Sequence, residues 1–302
     1  MNRRSLVLLV SLAALWGASY LFIKIGLRGM SAAEIVSVRC ALAAIVLLPV
    51  ALHRGALNGL RGRLPEIALL GAINMAIPLT LIGLGEHHVA TSVTGILIAA
   101  APIYTALLAP FVDPSERSSG LRLAGIAIGI VGVVLLLGVD LGGDSQAVAG
   151  GIMIVLAALG YAIAGFIVKR RFAGVQPVGL VSLTTLSAAL LTLPAAIATA
   201  PSGAPGAGPI AAVVVLGVFG TGIAFVVMYT LVGTVGPAKA QLVAYVAPGF
   251  SVIYGATFLD ESLTVATFGG LVLILAGSWL AADGRLPRRV RADARAEAAT
   301  SP

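Results

Sequence analysis

The chain has 302 residues, of which 59% are hydrophobic and only 10% charged, with a formal net charge of +7 and a mean hydropathy of +1.06. A soluble domain carries about 25% charged residues, so a chain this apolar cannot cover itself with polar surface, and lipid is its solvent for most of its length. The positive balance is then read as a membrane-topology signal and not as a nucleic-acid footprint, and the single Cys40 excludes an internal disulfide and a four-cysteine metal site.

Ten apolar segments follow one another, at about 6–26, 33–52, 66–85, 91–112, 121–139, 148–168, 178–199, 210–232, 238–258 and 265–282. Each runs about twenty residues without the polar alternation of a barrel strand, so the spans are helices. Turn residues separate them: Arg28-Gly29, Asn58-Gly59, Asp113-Pro114, Gly142-Gly143-Asp144 and the uncharged stretch 201–209. Arg3-Arg4 before the first apolar run has the form of a secretory leader. The run continues past fifteen residues with no A-x-A site behind it, so it reads as the first span.

With the N-terminus placed in the cytoplasm, the basic residues fall almost wholly on that side, from Arg3 and Arg4 through Arg54, Arg61, Arg63, Arg117, Arg122, Lys169 to Arg171 and Lys239. The segment 284–302, read as a basic cytoplasmic tail, adds Arg285, Arg288, Arg289, Arg291 and Arg295. The opposite side holds only Lys24, Arg28 and Arg39. This bias predicts both termini inside and an even span count.

The chain also repeats itself. Ala101-Pro102, Glu116, Gly125 and Gly132 are echoed by Ala247-Pro248, Glu261, Gly270 and Gly277, with equal steps from Glu to Gly and from Gly to Gly. Ala13-Ala14-Leu15 with Phe22 is echoed by Ala157-Ala158-Leu159 with Phe166. The unit is therefore five spans, 1–144 and 145–283. Because five is odd, the second unit enters the membrane from the opposite face, an inverted repeat of the kind many secondary transporters use.

On Leu15-Trp16-Gly17-Ala18-Ser19, Arg39 and the paired Pro…Glu…Gly…Gly patterns, the sequence resembles the drug/metabolite transporter superfamily, in its EamA-type branch, over about residues 5–282. That resemblance implies an all-α polytopic protein, ten transmembrane helices in two inverted five-helix repeats around a central cavity. It also implies export of small metabolites such as amino acids. Span six departs from the pattern: Gly160-Tyr161 stands where span one has Trp16-Gly17, so the two cavity walls need not match.

No charged residue is expected at the centre of a span. Lys24, Arg39, Glu66 and Lys239 are read as lying near ends, with stems that snorkel. The polar groups expected mid-span are neutral: Trp16, Ser19, Tyr20, Asn74, Thr94, Tyr161, Thr221, Gln241 and Tyr245. Each is either a wall of the cavity or an interhelical hydrogen-bonding group, and Trp16, Asn74, Tyr161 and Gln241 are the leading cavity candidates. Such a cavity suits a zwitterion or uncharged metabolite.

Pro78, Pro102 and Pro248 free the carbonyls of Asn74, Ile98 and Ala244, either as acceptors for a substrate or as kinks for packing. Glu86-His87-His88 reads either as a proton-sensing cluster or as a solvated loop, and it is a poor metal set without further ligands. Glu116 and Glu261 are expected to cap the next helix.

The predicted protein is a multi-pass carrier of the plasma (inner) membrane, with a small-molecule metabolite and the bilayer as partners, no nucleic acid, no metal and no cofactor. It has no Gly-x-x-x-x-Gly-Lys-Ser/Thr motif. The alternative is a membrane-embedded enzyme acting on lipid. Its candidate acidic pairs, Asp113/Glu116 and Asp260/Glu261, fall on opposite sides of the bilayer in this topology.

Overall fold

A computed structural model describes residues 1–112, 120–141 and 144–283. The expected tail 284–302 and the expected acidic sites Asp113 and Glu116 lie outside those residues. Among the described residues there is no strand. We label the spans α1 (Arg3–Gly26), α2 (Ala32–His53), α3 (Arg61–Glu86), α4 (Thr91–Val112), α5 (Leu121–Val139), α6 (Ser145–Arg171), α7 (Pro177–Ala198), α8 (Ala207–Val235), α9 (Val243–Phe258) and α10 (Val265–Ala282). All but the shorter α9 are long and apolar enough to cross a bilayer. Large apolar side chains such as Ile45, Leu69, Val134, Ile197 and Val272 are exposed on the outer surface, where lipid tails and not water meet them.

Short polar residues set the helix starts. Asn2 accepts the Ser5 N–H at 2.8 Å to begin α1, and Asp144 accepts the Gln146 N–H at 2.8 Å to begin α6. Ser31 and Glu34 form a capping box on α2, with Ser31 N to Glu34 Oε2 at 2.7 Å and Glu34 N to Ser31 Oγ at 3.2 Å.

The inverted repeat is visible in what packs on what. Helix α2 lies along α7, and α5 along α10; α1 packs on α8 and α9, while α6 packs on α3 and α4. Exchanging each helix with the one five places away turns every one of these pairs into another of them. The repeated glycines of α5 and α10 meet each other. A Cβ added at Gly277 would stand 2.5 Å from the Gly129 backbone nitrogen, and one at Gly125 would stand 2.6 Å from that of Ala281. Backbones this close need the missing side chains.

Two spans leave regular α-helix at corresponding places. In α3, Ala72–Ala76 forms a π-helical turn, and in α8 Val218–Ile223 does the same. In α3, Pro78 supplies the reason: it has no N–H to give Asn74, and the Ile77 N–H reaches Ala72 instead. The α4 helix is also interrupted, by a turn at Ala99-Ala100 between Thr91–Ile98 and Ala101–Val112. Pro102 therefore stands in the first turn of a fresh segment and does not kink a continuous helix. Pro248, in contrast, lies inside the unbroken α9. The two prolines match in sequence but not in local geometry.

Candidate functional site

Helices of both halves enclose a cavity of about 770 Å³. Its wall runs from the buried Ile23, Ile82 and Gly95 to the exposed Arg122, Gln241 and Ala282. The cavity thus opens where α4 ends, α5 begins and α10 ends.

Of the expected polar residues, Trp16, Ser19 and Tyr20 of α1, Asn74 of α3, Tyr161 of α6, Thr221 of α8 and Tyr245 of α9 line this cavity. Trp16 meets Phe225 edge-on, with ring centroids 6.1 Å apart at 70°. Asn74 is carried on the α3 π turn and Thr221 on the α8 π turn, so corresponding distortions in the two halves each present a polar side chain. The Ser19 hydroxyl is used within its own helix, donating to Leu15 O at 3.1 Å. Tyr245 reaches the Ser278 carbonyl at 3.5 Å.

Three expectations change. Thr94 does not line the cavity; it is fully buried and its hydroxyl donates to Ala90 O at 3.0 Å. Gln241 lines the cavity, but not at mid-span: it is exposed, in a turn between the short helix Pro237–Ala240 and α9, because α9 begins only at Val243. Pro78 is buried outside the wall, while Pro102 and Pro248 are part of it. The break beside Pro102 leaves the Ala99 carbonyl without its usual helical donor, and Ser278 Oγ of α10 donates to it at 2.8 Å.

The largest departure is Arg39. It does not snorkel from a helix end. It is 5% exposed, lines the cavity, and donates through Nε and Nη2 to Thr221 Oγ1 at 3.3 and 3.0 Å. The cavity is therefore not neutral. Arg39 and Lys24 were two of only three basic residues on the sparsely charged side, and that exception to the charge bias was the signal that could have singled them out.

The other end of the cavity is closed. Lys24 Nζ donates to the carbonyls of Glu86 and Val89, the latter at 3.0 Å, tying α1 to the α3–α4 connection. Glu261 does cap a helix, but not the next one. Its carboxylate accepts the N–H groups of Thr91 and Ser92, at 2.6 and 2.9 Å, at the start of α4 in the opposite half. The Glu86-His87-His88 stretch divides: both histidines are exposed, whereas Glu86 is fully buried with both carboxylate oxygens unpartnered. Partial desolvation, then the neighbouring His88 and Lys24, hold the His87 imidazole below its ordinary range. Among the described residues no group of His, Cys, Asp and Glu could hold a metal ion.

The model of the EamA-like transporter family matches this chain twice, over residues 3–138 and 148–282. The chain belongs to the EamA-like transporter family. Its relatives include a protein of Escherichia coli strain K12 described as the uncharacterized inner membrane transporter YedA, 29% identical over 263 residues that cover 85% of this chain and 83% of the relative. A probable terminal-alkyne amino-acid exporter of Streptantibioticus cattleyicolor is 29% identical over 290 residues, covering 93% and 94%. A probable amino-acid metabolite efflux pump of E. coli K12 is 26% identical over 297 residues, covering 93% and 95%. A protein of known crystal structure superposes with a TM-score of 0.67 at 21% identity, over 96% of this chain and 100% of that one, and supports the fold. As a family member the chain is a multi-pass membrane transporter of small molecules, and nothing in these likenesses points to a lipid-modifying enzyme.

Proposed function

We propose that this EamA-like transporter is a secondary carrier that exports small organic metabolites, amino acids among them, across the plasma (inner) membrane by alternating access. One observation carries the reading: a cavity of about 770 Å³ between the inverted halves is open at the end bearing Arg122 and Gln241 and closed at the end bearing Lys24 and Glu261. A carrier needs two such states within a few kcal/mol of each other, and halves of like fold and opposite orientation supply them. The exporter and efflux names of two relatives support the substrate class and direction. The charge bias supports both termini inside, which makes the open end cytoplasmic and the state inward-facing. The units are residues 1–144 and 145–283. Trp16, Ser19, Tyr20, Asn74, Tyr161, Thr221, Gln241 and Tyr245 form the polar part of the substrate path.

Untargeted metabolite comparison of medium from overexpressing and deletion strains is expected to show a small organic solute enriched outside the overexpressing cells. Counterflow of that solute into vesicles carrying the purified chain then tests carriage directly. No difference in any metabolite, with the protein present at normal abundance, sinks the exporter reading. Reporter fusions after Gly143 and Gly203 should report an outside location and one after Pro302 an inside location. An outside C-terminus removes the assigned orientation.

A further inference from the structure

Arg39 presents a charge-balance problem that the transporter fold by itself does not explain. It is the eighth residue of α2, which begins at Ala32, and its guanidinium lines the cavity while the residue is only 5% exposed. A guanidinium has five N–H donors and no acceptor. Its hydrogen bonds go to one neutral atom, Thr221 Oγ1. Among the described residues no carboxylate forms an ion pair with it. The buried Glu86 makes no hydrogen bond or ion pair with it. A buried charge is ordinarily paired, and one without its anion at a cavity wall is a binding site for that anion.

The surrounding wall is rich in donors. The hydroxyls of Tyr20 and Tyr161 lie within electrostatic range of the guanidinium. These hydroxyls, and the Asn74 amide on the α3 π turn, line the same cavity without a hydrogen-bond partner among the described residues. The second basic residue of the wall, Arg122, stands at the exposed mouth. One buried positive charge balances a single negative charge, and its planar fork matches the two oxygens of a carboxylate. A phosphate dianion would remain half-compensated in the same place.

We infer that Arg39 is the substrate anchor: it binds the carboxylate of a monocarboxylate metabolite, held in position by Thr221, with Tyr20, Tyr161 and Asn74 as further donors. This rests on the carrier reading and narrows its substrate class, from small organic solutes in general to those with one carboxylate. An α-amino acid fits if its ammonium faces the cavity water or the carbonyls beside Pro248.

The test is a melting-midpoint titration of the purified full chain in detergent with a panel of monocarboxylates, the standard L-amino acids and small 2-hydroxy and 2-oxo acids, and with the matching amides. The expected result is that one or more of the acids raise the wild-type midpoint and the amides do not. Arg39→Gln should raise the half-saturating concentration of those acids about 10- to 100-fold, the size expected for losing a charged hydrogen-bond pair. Arg39→Lys should fall between, because it restores charge without the fork. Thr221→Val, which keeps the charge but frees the guanidinium, should give a smaller loss.

The anchor is overturned if amides stabilise as well as acids, if no monocarboxylate of the panel stabilises the wild type, or if Arg39→Gln binds as the wild type does. It is also overturned if Arg39→Gln misfolds and the added Glu86→Gln restores folding and binding, since Arg39 would then be a counter-charge for Glu86. Counterflow separates this idea from the carrier reading. Exchange of solutes without a carboxylate, with the monocarboxylates inert, sinks the anchor and leaves the carrier standing; no exchange of any solute sinks both.

Discussion

The carboxylate of Glu261 accepts the backbone N–H of Thr91 at 2.6 Å, and so joins the segment before α10 in the second half to the first turn of α4 in the first. With the parallel bond to the Ser92 N–H at 2.9 Å, it satisfies two of the donors that a helix start leaves open, with a negative charge at the positive end of the helix. These bonds span the repeats at the closed end of the cavity, so opening that end must break them.

Glu261→Gln should therefore favour opening. The amide keeps one acceptor oxygen and loses the charge, and a hydrogen bond to a charged group is worth about 1.5–3 kcal/mol. In a Cys40→Ser background, a cysteine at Ile82, which is 2% exposed at the closed end, should label several-fold faster with an impermeant maleimide added outside cells. Unchanged labelling would mean that this contact does not hold the end shut.

The edge-on pair of Trp16 and Phe225 and the placement of Asn74 on a π turn predict a functional effect separate from folding. Trp16→Ala and Asn74→Ala should each lower transport several-fold while membrane abundance stays near normal, and Trp16→Phe should recover part of the loss by keeping a ring against Phe225. Normal transport by both alanine variants would remove these side chains from the substrate path, and disappearance of both from the membrane would assign them to packing.

The α5–α10 contact predicts a large effect from a small change. Gly277→Val places a side chain where even a Cβ would be 2.5 Å from the Gly129 nitrogen, and overpacking of this kind costs about 1–3 kcal/mol or more. Its melting midpoint should fall by several degrees. Gly233 in α8 has open space around its Cβ position, so Gly233→Ala should hold or raise the midpoint. Equal midpoints for Gly277→Val and the wild type would contradict the close packing.

Pro102 and Pro248 both line the cavity, one at the start of the second α4 segment and one inside α9. Alanine at Pro102 supplies an N–H that can rejoin the two α4 pieces, and alanine at Pro248 supplies one for the Ala244 carbonyl. The two helices run in opposite senses through the inverted halves. Because only Pro248 lies inside an unbroken helix, both variants should slow transport but Pro248→Ala should change labelling of the cysteine at Ile82 more than Pro102→Ala does. Equal changes in the two variants would show that the continuity of the helix around each proline does not govern the cycle.

Much of the architecture was legible in the chain itself. Apolar runs of about twenty residues leave the backbone no partner but its own helix. An odd-numbered repeat forces inversion, and Gly125, Gly132, Gly270 and Gly277 mark that repeat by their equal spacing. These properties are local or periodic, so counting finds them. What only the tertiary structure decided is where side chains from distant segments meet. Arg39 looked like a residue near a helix end until Thr221, 182 positions later, was found bonded to it. Glu261 was expected to cap its own neighbour, yet its carboxylate lies at Thr91, 170 positions earlier. Thr94 and Gln241 read alike as mid-span polar groups. One is sealed by its own helix and the other stands at the mouth, because the break before Val243 shortens α9. In a bilayer hydrophobicity sets which segments span, but close packing and the satisfaction of buried polar groups set which faces meet, and those depend on partners that the linear sequence does not bring together.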